Sequence, residues 1–224
     1  MFNDFSKYTQ PHPERSALLT IDLQNDFVLP GAPAEGAGAL SAAKKAGKMA
    51  ALYRSLGLPV IHVVRVYTKD DDAESVDACR REAIQDGLTL VMSGTEGMQL
   101  AKGLVPEGTW LDGELLRTGE IQQISARECV LYKPRWSAFD RTPLLSVLDG
   151  YDVDTVAVCG TWFANCIRTS LYEATANEIR AVALEDAIAG MNNIGKEDLV
   201  KIQCGVCSCE EWKHTLLSAF NVHS

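Results

Sequence analysis

The chain has 224 residues, with 21 basic against 30 acidic side chains and a net charge of −9; at about 150 residues per domain this is one large domain and not two. Its 46% hydrophobic and 23% charged residues and its mean hydropathy of −0.04 exclude disordered, fibrous and membrane-spanning classes. The acidic balance repels phosphate backbones and anionic lipid, so neither nucleic acid nor a membrane is an expected partner.

The segment before residue 16 carries an acid at Asp4 and no apolar stretch of signal-peptide length, which gives a cytoplasmic expectation. Seven cysteines scattered through apolar segments fit a reducing compartment. Short apolar runs bounded by turn residues then recur along the chain: Ala17 to Ile21, Pro59 to Val66, Cys129 to Tyr132, Thr155 to Cys159 and Arg180 to Leu184. Runs this continuous suit strands buried on both faces. Helical stretches alternate with them: Gly38 to Leu56, Ala73 to Asp86, Thr142 to Leu148, Asn165 to Asn177, Lys196 to Gln203 and Glu210 to Phe220. The alternation predicts an α/β fold, a doubly wound and mostly parallel six-stranded sheet with helices on both faces. Residues 87–126 break the rhythm and read as a long insertion or lid within a single domain spanning 1–224. Its Trp110, Leu111, Leu115 and Leu116 could cover a cleft or pack on another subunit, and a surface excursion with its own small hairpin is the plainer alternative.

In open parallel sheets ligands bind beyond the carboxyl ends of the strands. Three reactive side chains fall there: Asp22 after LLTI, Lys133 after CVLY, and Cys166 in GTWFANC, at the entry to a helix. A helix start and a neighbouring cation both lower a thiol pKa, and a carboxylate can take its proton. If the parallel strands run 3-2-1-4-5-6, the lysine strand stands two places, about 10 Å, from the aspartate strand; the order 2-1-3-4-5 would make them neighbours.

Other signals lead elsewhere. GAPAEGAGAL lacks the G-x-G-x-x-G spacing of a dinucleotide site, and no Gly-Lys-Ser/Thr follows. Cys204, Cys207 and Cys209 with His214 could offer zinc ligands, but C-x-C spacing favours packing. His62, inside an apolar strand, reads as a satisfied core histidine. No cofactor and no metal are expected.

The segments LLTIDLQNDF, LYKPRWSAFDRTPL and GTWFANCIRTSLYEA, followed by VALEDAIAG, resemble the isochorismatase-like cysteine hydrolase family over roughly residues 17–206. The resemblance implies a catalytic triad of Asp22, Lys133 and Cys166, with Asp22 taking the thiol proton and Cys166 attacking a carbonyl carbon to give a thioester that water hydrolyses. It implies a cis peptide at Thr161–Trp162 and an oxyanion hole built from the backbone amides of Trp162 and Cys166. Pocket walls fall on Phe27, Arg65, Trp136, Phe139 and Trp162, suited to a small flat polar substrate such as a carbamoyl or ureido compound bearing a carboxylate; Arg65 could equally form an ion pair with Asp70 to Asp72. The metal-binding histidines of nicotinamidase-like members have no counterpart in VVRVYTKDDDAES. The expected activity is hydrolysis of a small non-peptide amide or carbamoyl/ureido C–N bond by a homo-oligomer, dimer or tetramer. Vinyl-ether hydrolysis, which in this family proceeds without the cysteine, and non-catalytic binding of a metabolite are the alternatives.

Overall fold

The structure is a computed structural model that describes residues 5–69 and 76–221. Its core is a seven-stranded sheet. Strands β1 (Ser16–Ile21), β2 (Val60–Val64), β3 (Gln122–Ser125), β4 (Glu128–Tyr132), β5 (Thr155–Gly160), β6 (Arg180–Ile188) and β7 (Gly205–Cys207) lie in the order β3-β4-β2-β1-β5-β6-β7. Every pair is parallel except β3 with β4. The six expected strands are therefore corrected to seven, because residues 87–126 add an antiparallel edge strand that hairpins into β4. The parallel strands taken alone follow 3-2-1-4-5-6, so β2 separates the strand that leads into Asp22 from the one that leads into Lys133.

All six residues of β1 and of β5 are buried, as continuous apolar runs require when both faces are covered. Alternation still sorts them. Leu18, Ala157 and Cys159 join one core with helices α2 (Ala39–Ser55) and α8 (Cys209–Ala219). Ala17, Leu19, Val156 and Val158 join the other, with α5 (Leu144–Gly150), α6 (Arg168–Ala176) and α7 (Asn193–Lys201). Two short helices, α1 (Asn25–Val28) and α4 (Gly113–Arg117), and α3 (Ala78–Gln85) complete the set. The expected helix from Ala73 thus begins at Ala78, and residues 73–75 lie outside the described ones. The alanine-rich face of α2 lets it approach the sheet closely. At its carboxyl end Arg54 clasps Glu128 through Nε and Nη2 at 2.8 and 2.6 Å.

Residues 87–126 pack against the first core. Leu111 and Leu116 are buried in it while Trp110 is half exposed, and Gln99 ties the segment by accepting from the Leu111 backbone N–H at 2.7 Å. Among the described residues no helix is long and apolar enough to cross a membrane.

Candidate active site

Four strands deliver the site. Asp22 directly follows β1, Arg65 follows β2, Lys133 follows β4, and β5 leads through Gly160 to Cys166. Asp22 adopts φ 52°, a left-handed conformation that aspartate tolerates better than most residues, and this turns its carboxylate over the strand ends. The turn is held by Asp22 N–H donating to Val63 O at 2.9 Å and by Thr161 Oγ1 donating to Asp22 O at 2.8 Å. Gly160 is required beside it: φ is 141°, and a Cβ there would stand 2.1 Å from Ile21 O.

The three reactive side chains converge. Lys133 Nζ lies 2.9 Å from Asp22 Oδ2 and 3.3 Å from Cys166 Sγ, and its third proton goes to Arg135 O at 3.2 Å. Asp22 and Cys166 are each 2% exposed and Lys133 is fully buried. The second carboxylate oxygen, Asp22 Oδ1, is buried without a hydrogen-bond partner. An unpaired acceptor inside protein is costly, and here it is the carboxylate oxygen that Lys133 does not hold.

Cys166 does not stand at the first turn of an α-helix. It lies inside a π-helical turn, Phe163–Ile167, that precedes α6, with Ile167 N–H reaching back to Trp162 O at 3.1 Å. The expectation of a lowered thiol pKa is corrected. Burial pushes the thiol up and the Asp22 carboxylate pushes it further, both as a charge and as a hydrogen-bond acceptor; Lys133 and Arg65 pull it down but do not win.

The Thr161–Trp162 peptide is cis. Among the described residues the Trp162 N–H has no hydrogen-bond partner, whereas the Cys166 N–H is taken by the side-chain oxygen of Asn165 at 2.6 Å. Of the two expected oxyanion donors, one is open and the other is covered. The Trp162 indole is seated on Gly36, where a Cβ would stand 0.8 Å from its Cη2, and near Gly190.

Of the remaining wall residues, Phe27, Arg65 and Trp136 form one group. The Arg65 guanidinium is 4.9 Å from the Trp136 ring centre, and Arg80 of α3 lies 5.6 Å from that of Phe27 and 5.7 Å from that of Trp136. Phe139 is buried in the second core. Arg65 pairs with Asp77; Asp70 to Asp72, the partners considered from the sequence, lie outside the described residues. Asp77 and Arg80, from the start of α3, thus join Phe27, Arg65 and Trp136 at the site. Asp77 and Asn165 were not legible as site residues; the only signal was an acid just before a helix and an amide beside the cysteine.

His62 is a satisfied core residue, bonded to Thr20 Oγ1 at 2.7 Å and Glu128 Oε1 at 2.9 Å. Among the described residues no three His, Cys, Asp or Glu side chains converge as a metal site would need. His214 lies on the exposed face of α8, 3.4 Å from Glu210.

A family model, the isochorismatase domain, matches residues 16–201, and the chain belongs to that family. It is 29% identical over 207 residues, 90% of this chain and 96% of the relative, to a probable inactive nicotinamidase of Arabidopsis thaliana. It is 27% identical to maleamate amidohydrolase of Pseudomonas putida, over 78% of this chain and 72% of that protein. Among solved structures, an isochorismatase family protein from Desulfovibrio vulgaris superposes with a TM-score of 0.75 at 30% identity, covering 90% of this chain and 98% of that one.

Proposed function

We propose that this member of the isochorismatase family is a cysteine amidohydrolase that cleaves a small non-peptide amide or carbamoyl/ureido C–N bond, releasing ammonia or an amine. The carrying observation is the single ammonium, Lys133, within contact of both a buried carboxylate and a buried thiol, at 2.9 and 3.3 Å. Asp22 takes the Cys166 proton, its unpartnered Oδ1 being the open acceptor. Sulfur attacks the carbonyl carbon. The developing oxyanion takes the Trp162 N–H and, once the Asn165 side chain turns aside, that of Cys166. Asp22 then returns the proton to the leaving nitrogen, and water freed of a proton by the same carboxylate hydrolyses the thioester. Lys133 stays charged throughout and compensates whichever of the two partners is anionic. The walls of the pocket are Phe27, Trp136 and the Arg65 side chain, with Phe139 and Trp162 behind them, and a homo-oligomer in the cytoplasm is the working assembly.

A non-catalytic reading draws on the covered Cys166 N–H and on burial pushing the thiol up, since a site in that state binds a carbonyl without activating it. One assay separates the two. Wild type and Cys166→Ser are incubated with a panel of small amides, carbamoyl compounds and ureas, and ammonia or amine is measured. Release by the wild type alone supports the hydrolase; metabolite binding with no release from any member supports the binder. The presence of Cys166 weighs against vinyl-ether chemistry.

A further inference from the structure

Arg65 is built into the site more firmly than a residue waiting for substrate. Its backbone is clamped by Gln24, which accepts the Arg65 N–H at 2.9 Å and donates to Arg65 O at 2.7 Å. Its guanidinium is held by Asp77, by Tyr67 Oη at 3.2 Å and by the Trp136 face. The side chain is 1% exposed. Yet the guanidinium is not satisfied: Nε has no hydrogen-bond partner, lying 3.9 Å from Asp22 Oδ2, while Nη2 reaches Cys166 Sγ at 3.9 Å.

We propose that Arg65 is a second cation for the Cys166 nucleophile, donating to its sulfur beside Lys133, and not a receptor for a carboxylate of the substrate. The proposal rests on Cys166 being the nucleophile. Among the described residues the two carboxylates nearest the sulfur, Asp22 and Asp77, are paired with Lys133 and Arg65, so Arg65 carries its own counter-charge before any ligand arrives, while the half-buried Arg80 stands over the Phe27 and Trp136 rings. When the thiol proton passes to Asp22, the negative charge moves from a carboxylate to sulfur and the total does not change. Lys133 and Arg65 contact both ends of that movement. Losing the proton from the Cys166–Asp22 couple to solvent is different, because one extra negative charge then remains in a buried site, and only the two cations offset it. The apparent pKa of the couple belongs to both groups. Among the described residues the charged groups that face it are Asp22 after β1, Arg65 after β2, Lys133 after β4 and, from the start of α3, Asp77, with Arg80 over the Trp136 ring.

The test is the rate of Cys166 alkylation by iodoacetamide against pH, read by peptide mass spectrometry in a Cys79→Ser background that removes the exposed thiol. Arg65→Gln is expected to move the midpoint up by about one unit or more, slowing alkylation about tenfold on the acid side, the effect of deleting a charge near 4 Å in a partly screened interior. Arg65→Lys should fall between. Asp77→Asn strips Arg65 of its counter-charge and is expected to move the midpoint the opposite way. A merely structural role would shift Arg65→Gln and Asp77→Asn in the same direction or not at all, and either result overturns the proposal. If Arg65→Gln fails to fold by circular dichroism, the Asp77→Asn and Arg65→Lys profiles decide alone, an unmoved pair counting against it. Alkylation needs no substrate. Hydrolysis with unmoved profiles therefore removes the role of Arg65 and leaves the amidohydrolase, while shifted profiles with no hydrolysis of any amide do the reverse.

Discussion

Replacing Lys133 with methionine tests whether Asp22, Lys133 and Cys166 work as one unit. Methionine roughly matches the apolar stem of lysine, so the change leaves little cavity and acts mainly through the lost ammonium. What remains is a carboxylate 3% exposed whose 2.9 Å partner is gone, and breaking a buried pair from one side costs about 3–5 kcal/mol. Arg65 Nε at 3.9 Å from the same oxygen compensates in part, which places the expected loss near the lower figure, about 3 kcal/mol. For a chain of this size that is a fall in Tm of roughly 6–12 °C. Asp22→Asn is the complementary change: asparagine accepts the left-handed backbone at least as well, and the cost comes from the buried ammonium left facing an amide. The double variant Asp22→Asn/Lys133→Met removes both charges and should recover about 2 kcal/mol relative to the sum of the single losses. All three variants should lose turnover by at least about a thousandfold, with the double barely worse than the poorer single. Urea unfolding with fitted midpoints and slopes gives the stability cycle, and ammonia release gives the activity cycle. Stability losses that add within about 0.5 kcal/mol, the tolerance for independent sites, would refute the coupled unit.

Three further outcomes are expected. Cys166→Ala should abolish ammonia release while changing unfolding free energy by about 1 kcal/mol, the scale of one small buried group; residual turnover in the purified variant would remove the nucleophile from the scheme. Gly36→Ala should expel the Trp162 indole, since the new methyl would stand 0.8 Å from Cη2, and shift the amide beside the thiol enough to cost at least about tenfold in kcat; an unchanged kcat would show that the indole seat does not position that amide. Glu128 carries the pH prediction: burial pushes its carboxyl up, but hydrogen bonds from Arg54 and His62 outweigh this and bring it from 4.5 down to about 2. Its contribution is present above the unfolded value and is lost as pH falls from about 4.5 toward 2. Burial lowers His62 below 6.5 against the pull of Glu128, so the unfolded imidazole protonates first and stability begins to fall below pH 6.5. Glu128→Gln should remove at most about 3 kcal/mol at neutral pH and flatten the acid limb below pH 4.5, read by urea unfolding from pH 3 to 8; parallel curves for variant and wild type would refute the linkage.

What the sequence made legible, and what it did not, follows from the range of the interactions. β1 and β5 are unbroken apolar runs because both faces of the sheet are covered there, and Asp22, Lys133 and Cys166 are legible because they terminate or follow such runs. β3 reads QQIS, with alternate half-buried and exposed residues; an edge strand with one neighbour needs no apolar run and left no signal. As an alternative to a pocket wall, Arg65 reads from the sequence as an ion-pair partner of acids such as those at 70–72, which lie outside the described residues; the pair that the structure does describe is with Asp77, the residue before α3. The direction of the Cys166 shift was missed for a different reason. A helix start is visible in sequence, whereas the depth of burial and the approach of a carboxylate from another strand are properties of the assembled sheet. Asn165 was equally hidden, since its role depends on a π-helical turn that leaves the next backbone N–H facing its side chain.

The strand order explains why these residue types occupy these positions. With β2 between β1 and β4, the backbones that carry Asp22 and Lys133 are two strand spacings apart, about 10 Å. A short acid cannot cross that gap, so the reach must come from the other side, and a lysine stem of four methylenes supplies it while its compact ammonium touches carboxylate and sulfur together. An arginine at 133 would be long enough, but its planar fork fixes its donors in one plane and suits two oxygens of one carboxylate better than one oxygen and a sulfur. The strand in between then ends directly beneath the contact, and whatever follows it is held against both partners at once. In this chain that residue is Arg65, where planarity is an advantage: one edge of the guanidinium takes Asp77 and Tyr67 while Nε and Nη2 remain turned toward Asp22 and Cys166. The same topology that separates the acid from the lysine therefore creates a third seat for a cation, and the buried thiol, pushed up by its surroundings, is the group that most needs one.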